Sequence, residues 1–124
     1  MSTSLEGLYK LDDLTVQDAS ATAKITINKD HIVFNGHFPD NPVMPGVCMM
    51  QIIKEITEKI VEKKLFMQSA SNIKFMALIN PFINPELELQ LNIIETEEGY
   101  KVKNISKFED TIALKSTSNF IIMK

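Results

Sequence analysis

Asn35-Gly36-His37-Phe38-Pro39-Asp40-Asn41-Pro42-Val43-Met44-Pro45-Gly46, running on into Val47-Cys48-Met49-Met50-Gln51-Ile52-Ile53, is the stretch around which the chain is organised. Pro39, Pro42 and Pro45 recur at every third position. Each fixes its own φ and pushes the residue before it toward extended backbone, so Phe38 to Pro45 is expected to be a stiff strap. Gly46 closes the strap and an apolar helix begins. The first turn of a helix carries unpaired N–H groups and a partial positive charge, and at Gly46 no side chain blocks an approaching group. His37, a titratable imidazole, is thereby tethered near a ready-made site for an electron-rich oxygen.

The helix is expected from about Val47 to Lys64. Met49, Ile52, Ile53, Ile56 and Ile60 follow helical spacing and form one apolar stripe. The first turn, Val47 to Met50, is apolar all round, so that end should be surrounded by protein. Lys54, Glu55, Glu58, Lys59, Glu62, Lys63 and Lys64 should carry the other end into water. Upstream, Leu5 to Val16 reads as a first strand, with breaks at Asp12-Asp13 and Gln17-Asp18. Ala21, Ala23, Ile25 and Ile27 alternate with polar residues at the period of a half-buried strand, and Asn28-Lys29-Asp30 is a turn. Beyond the helix, Gln68-Ser69-Ala70-Ser71 reads as a loop. Ile73, Phe75, Ala77 and Ile79 alternate until Pro81 and Pro85 interrupt. Leu87 to Ile93, Tyr100 to Phe108 and Ile112 to Met123 read as strands, with turns at Glu97-Glu98-Gly99 and Glu109-Asp110, which is an antiparallel meander. One long helix with five or six strands gives an α+β domain whose sheet wraps the helix.

Composition narrows the function. At 124 residues, 44% apolar and 23% charged, the chain reads as one globular domain, 1–124. A net charge of −3 argues against nucleic acid as the main partner. All thirteen basic residues are lysine, so no guanidinium fork is available for a phosphate or carboxylate. No secretory leader is read at the N-terminus, and no apolar run reaches the ~18 residues of a membrane helix. The single Cys48 excludes an internal disulfide and fits a reducing cytosol. Two histidines and one cysteine offer no zinc-type cluster, and neither a metal nor a cofactor is expected.

His37-Phe38-Pro39 followed by Pro42-Val43-Met44-Pro45-Gly46-Val47 resembles the signature of the (3R)-hydroxyacyl-acyl-carrier-protein dehydratases of fatty acid synthesis, a hotdog-fold family. The resemblance implies a hotdog fold and a dimer whose two sheets join edge to edge. It implies dehydration of a 3-hydroxyacyl thioester, on a carrier protein or CoA, in fatty acid or polyketide and polyene-type lipid synthesis. It casts His37 as the base at C2, the backbone N–H of Gly46 and Val47 as holders of the thioester oxygen, and Phe38, Val43 and Met44 as substrate contacts. The family's acid, Glu or Asp, which meets the leaving hydroxyl or its water and comes from the partner subunit, lies fourteen residues after the histidine, where this chain has Gln51. An amide cannot give up a proton as an acid but can hold a hydroxyl or a water. His37, once protonated, could return its proton to the leaving hydroxyl. The alternatives are a hotdog subunit that binds acyl chains or pairs with an active homologue in a hetero-oligomer, and an acyl thioesterase.

Other residues read first as structure. Asp40 is a turn residue beside Asn41, and Glu55 is a solvated helix residue paired with Lys59. Each is an alternative acid. His31 reads as a surface histidine and Cys48 as a small core residue. Met44, Met49, Met50, Met67 and Met76 read as core, although methionine also suits an acyl tunnel. Lys101, Lys103 and Lys107 share a strand face. It is read as a solvated edge, with docking of an acidic carrier protein as the alternative. Asn72 to Phe75 stands where the family has a strand lining the acyl pocket. The segment ahead of the first strand is shorter than the family's, which implies a more open pocket.

Overall fold

Met49, Ile52, Ile53 and Ile56 have no exposed surface, and the fold is built to keep them dry. A computed structural model describes residues 6–34 and 43–123. It contains strands β1 (Tyr9–Gln17) and β2 (Ser20–Ile27), helix α1 (Gly46–Val61), and strands β3 (Leu65–Phe75), β4 (Glu86–Glu95), β5 (Gly99–Phe108) and β6 (Thr111–Ile122). All six strands form one antiparallel sheet in the order β1-β2-β4-β5-β6-β3. One helix and one sheet share a single core cluster, the α+β arrangement expected.

Two of the period-two stretches land as read, but Ile73 to Ile79 does not: β3 ends at Phe75, Ile73 and Phe75 are exposed, and Ala77 and Ile79 lie beyond the strand. Ala21, Ala23 and Ile25 on β2 pair with Leu91, Leu89 and Leu87 on β4, and all six are buried on the face toward the helix. Tyr100, Val102, Leu114 and Phe120 extend that face across β5 and β6. β4, β5 and β6 are the expected meander. In the middle of the inner face the register changes character. Asn104 and Ser106 of β5 lie opposite Ser116 and Leu114 of β6, and Ser118 lies opposite Val102. All are buried, and among the described residues Asn104 Nδ2 and the Ser116 and Ser118 hydroxyls have no hydrogen-bond partner.

Several boundaries differ from the sequence reading. Gln68 to Ser71 is strand, not loop: β3 runs unbroken from Leu65. Among the described residues it is an edge strand paired only with β6, so most of its side chains stay in water and its sequence looks like a loop. Two bulges, between Met67 and Ser69 and between Ser71 and Lys74, break the alternation further. The first strand begins at Tyr9, and its Asp12-Asp13 pair makes a bulge within the strand. The helix ends at Val61, three residues early. Glu62 turns left-handed (φ 58°), and the Glu58 carboxylate accepts the N–H of Leu65 at 2.8 Å. The chain must turn there to seat Leu65, which is fully buried. Ile60, expected on the buried stripe, is only half covered near this end. β5 lies inside the sheet, so its lysines stand on an outer face and not on an edge.

Left-handed backbone recurs at Asp18, Asn72 and Glu109, in the β1–β2 turn, the second β3 bulge and the β5–β6 turn. Gly99 has a different reason for being glycine. A Cβ there would lie 2.1 Å from the Phe120 carbonyl oxygen and 2.9 Å from Ile121 Cα. Those are main-chain atoms of β6 and cannot swing aside. Gly99→Ala should therefore cost about 1–3 kcal/mol, the usual range for overpacking, and a denaturant titration against wild type measures it.

Candidate functional site at the helix N-terminus

The chain enters α1 through Val43, Met44 and Pro45. Met44 donates its N–H to Ile79 O at 2.8 Å and its side chain is buried. Pro45 is the N-cap at φ −64°, ψ 144°, the extended geometry expected of the strap. It has no side-chain oxygen to cap the first turn. Its carbonyl accepts from Cys48 (3.1 Å) and Met49 (3.2 Å). Among the described residues the N–H groups of Gly46 and Val47 have no partner. No acidic side chain stands in the first turn, so the positive end of the helix dipole is not cancelled there. Two donors and a favourable field are what a developing oxyanion needs.

Bare Cα at Gly46 has a second consequence. The Phe75 ring lies against it, with Cζ 2.8 Å from where a Cβ would be. Phe75, at the end of β3, is about half exposed (52%), and Val47 is 79% exposed. Ile73, Met76 and Leu78 are exposed beside Phe75 in sequence. The expectation that protein surrounds the first turn is therefore not met among the described residues. Cys48 and Met49 face the core, and Val47 turns outward. Val43 and Met50 are half-buried.

Gln51 is half-buried one turn beyond Val47, on the same ridge of the helix. Its Nε2 donates to Glu55 Oε2 at 3.2 Å, and Glu55 Oε1 accepts the Tyr9 hydroxyl at 2.8 Å. Glu55 is thus not the solvated partner of Lys59; the ion pair of this helix joins Lys54 to Glu58 at 3.3 Å. Burial, then the hydrogen bond and negative charge of Glu55, then the charge of Glu58, push the Tyr9 phenol well above its ordinary range. It stays a hydrogen-bond donor throughout the working pH range. Tyr9 and Glu55 are 46 residues apart, and no sequence spacing announces their contact.

His37, Phe38 and Asp40 lie outside the described residues. The other single-residue readings divide. Cys48 is buried, and burial pushes its thiol up, as fits a core residue. His31 is not a surface histidine. It is buried, its Nδ1 accepts the Val33 N–H at 2.9 Å, and its Nε2 meets Glu6 O at 3.1 Å. That pairing requires the proton on Nε2 and uses both ring nitrogens. Met44 and Met49 are core, and Met76 is exposed. Lys107 pairs with Glu88 at 3.6 Å. A groove of about 750 Å³ elsewhere on the sheet is lined by Lys10, Asp12, Lys24, Glu88, Lys107 and Glu109 among others. Its mixed charges suit no acyl chain. Among the described residues no three His, Cys, Asp or Glu side chains gather as a metal site. No helix there is long and apolar enough to cross a membrane.

Comparison with known proteins agrees with the geometry. A 3-hydroxyacyl-[acyl-carrier-protein] dehydratase FabZ of Lactobacillus helveticus is 30% identical over 122 residues, covering 91% of this chain and 80% of that protein. The FabZ of Francisella tularensis subsp. novicida is 46% identical over 52 residues, 40% of this chain and 31% of its own. Among solved structures, the dehydratase heterocomplex ApeI:P from Xenorhabdus doucetiae superposes with a TM-score of 0.77 at 18% identity, over 90% of this chain and 96% of that one. A hypothetical thioesterase with coenzyme A from Streptococcus pneumoniae follows at 0.67 and 10% identity, over 99% and 91%. These likenesses establish the hotdog fold. Residues 13–114 match the ApeI-like family, described as ApeI dehydratase, and the chain belongs to that family of hotdog dehydratases.

Proposed function

We propose that this chain removes water from a 3-hydroxyacyl thioester, borne on acyl carrier protein or CoA, to give the trans-2-enoyl thioester in fatty acid or related lipid synthesis. The observation that carries the reading is the uncapped first turn of α1, with the Gly46 and Val47 N–H groups unpartnered among the described residues. Family membership and the FabZ relatives support the reaction class. In the proposed reaction the His37 imidazole takes the C2 proton, and the electron pair moves onto the thioester oxygen. That oxygen is held by the two N–H groups at the positive helix end. As the pair returns, the C2–C3 double bond forms and the C3–O bond breaks. The imidazolium gives its proton to the departing hydroxyl, which leaves as water. Gln51 holds that hydroxyl. Phe38, Val43 and Met44 line the path of the chain, with Phe75 closing it beside Gly46.

The same reading takes 1–124 as one hotdog domain in a dimer, in the cytosol. The edge of β3, unpaired among the described residues, and the exposed Val47, Phe75, Met76 and Leu78 support a second copy against this face. A buried free thiol, Cys48, supports a reducing compartment. A heterologous partner that supplies a carboxylate is the second reading, favoured by the amide at 51 and by the heterocomplex among the structural neighbours.

Purified protein given (3R)-hydroxyacyl thioesters on carrier protein or CoA should lose one water by mass. His37→Ala should lower turnover by about 10²-fold or more, the usual share of a general base, and Gln51→Ala by less. Wild type that is inert alone but active when Gln51→Glu is introduced would favour the heterologous partner. Thioester cleavage to free thiol would refute dehydration. Gly46→Ala gives a separate test. The Phe75 ring can tilt away, so stability should fall by no more than about 1 kcal/mol. Turnover should fall about tenfold or more as methyl and displaced ring crowd the N–H pair, and Phe75→Ala in that background should recover much of it.

A further inference from the structure

Gln51 stands where the resembled enzymes carry a carboxylate, and its amide has two chemically opposite ends. One accepts hydrogen bonds and the other donates them. Which end faces the substrate determines what position 51 recognises. The Glu55 carboxylate only accepts, so it can hold the Gln51 Nε2 (3.2 Å) but not its oxygen. Its other oxygen is occupied by the Tyr9 hydroxyl at 2.8 Å, which anchors the carboxylate from β1. Glu55 is one turn nearer the C-terminus than Gln51. With Nε2 held there, Oε1 is the end of the amide that Glu55 leaves free to accept.

The other charges near Glu55 leave this contact alone. Lys54 is engaged with Glu58 at 3.3 Å, and Glu58 also accepts the Leu65 N–H at 2.8 Å. Lys63 Nζ meets the Tyr100 hydroxyl at 3.3 Å. Lys59, Glu62 and Lys64 line the same shallow groove as Glu55, and among the described residues none of them pairs with it.

We infer that Tyr9 and Glu55 pin Gln51 as a hydrogen-bond acceptor, and that position 51 thereby selects acyl chains carrying a hydroxyl at C3 over those carrying a 3-oxo group. This rests on the proposal that Gln51 faces the C3 substituent. A 3-hydroxyl donates its proton to Oε1. A 3-oxo group has no proton to offer and sets oxygen against oxygen. A site built to bond a hydroxyl rejects the analogue that lacks the proton. Glu55 is a positioning residue here, since it touches Gln51 and acts through it.

The test is a binding measurement, so it does not depend on turnover. Matched 3-hydroxyacyl and 3-oxoacyl pantetheine amides are titrated calorimetrically into full-length wild type, Tyr9→Phe, Glu55→Gln, Gln51→Ala and the Glu55→Gln/Gln51→Ala double variant. Wild type should prefer the hydroxy ligand. Glu55→Gln, close in shape, frees the amide to turn over. It should cut the preference about tenfold, largely by tighter binding of the 3-oxo ligand. Tyr9→Phe should cut it less, and in the Gln51→Ala background Glu55→Gln should change nothing. A general loss of packing would weaken both ligands together and leave their ratio alone. An unchanged ratio in Glu55→Gln, or the same effect with Gln51 removed, overturns the inference. Wild type that binds and discriminates but does not dehydrate its thioester substrates would refute the proposed reaction and leave the positioning intact. Wild type that binds neither ligand overturns both.

Discussion

The apolar stripe of α1 has to leave water, and the remainder of the chain follows from how that is done. Four side chains, Met49, Ile52, Ile53 and Ile56, are fully covered. At roughly 2 kcal/mol for each buried aliphatic side chain, their burial is comparable with the whole net stability of a small domain. One sheet face supplies the cover, from Ala21 on β2 through Leu89 on β4 and Val102 on β5 to Phe120 on β6. The price of orienting the stripe inward is that Val47, on the opposite face of the first turn, looks out. The open helix end is therefore a by-product of core burial, and it leaves the Gly46 and Val47 donors beside an apolar rim.

Much of this could be read from the residues because burial on one face leaves a period in the sequence. Ala21 to Ile27 and Leu87 to Ile93 each have one wet face and one dry face, and their alternation is plain. β3 has almost no dry face. Gln68, Ser69 and Ser71 look like loop because an edge strand with two bulges presents polar side chains on both sides. His31 misled for the converse reason. Its burial depends on a contact with Glu6, 25 residues earlier, that leaves no local trace.

The site divides in the same way. Gly46 and Gln51 are conspicuous because the proline strap and the start of an apolar helix frame them. The roles of Glu55 and Tyr9 are not, since they come from a strand and a helix brought together by the sheet. Helical spacing offered Lys59 to Glu55 as a partner. The fold supplied a phenol and an amide instead, both of which donate without cancelling its charge. Glu55 lies more than two turns from the helix start, beyond the first turn within which the dipole's effect falls off.

The four left-handed non-glycine positions among the described residues bear on how such a chain changes over time. Asp18, Glu62, Asn72 and Glu109 hold backbone that glycine adopts freely and other residues adopt at a cost of about 1 kcal/mol. All sit at turns, a helix end or an edge bulge, away from the residues assigned to chemistry. A glycine at any of them relieves strain in the folded state, partly offset by the greater freedom it gives the unfolded chain. They form a margin of stability that single substitutions can reach. With that margin, the residues of the proposed acyl path can diversify before the domain ceases to fold.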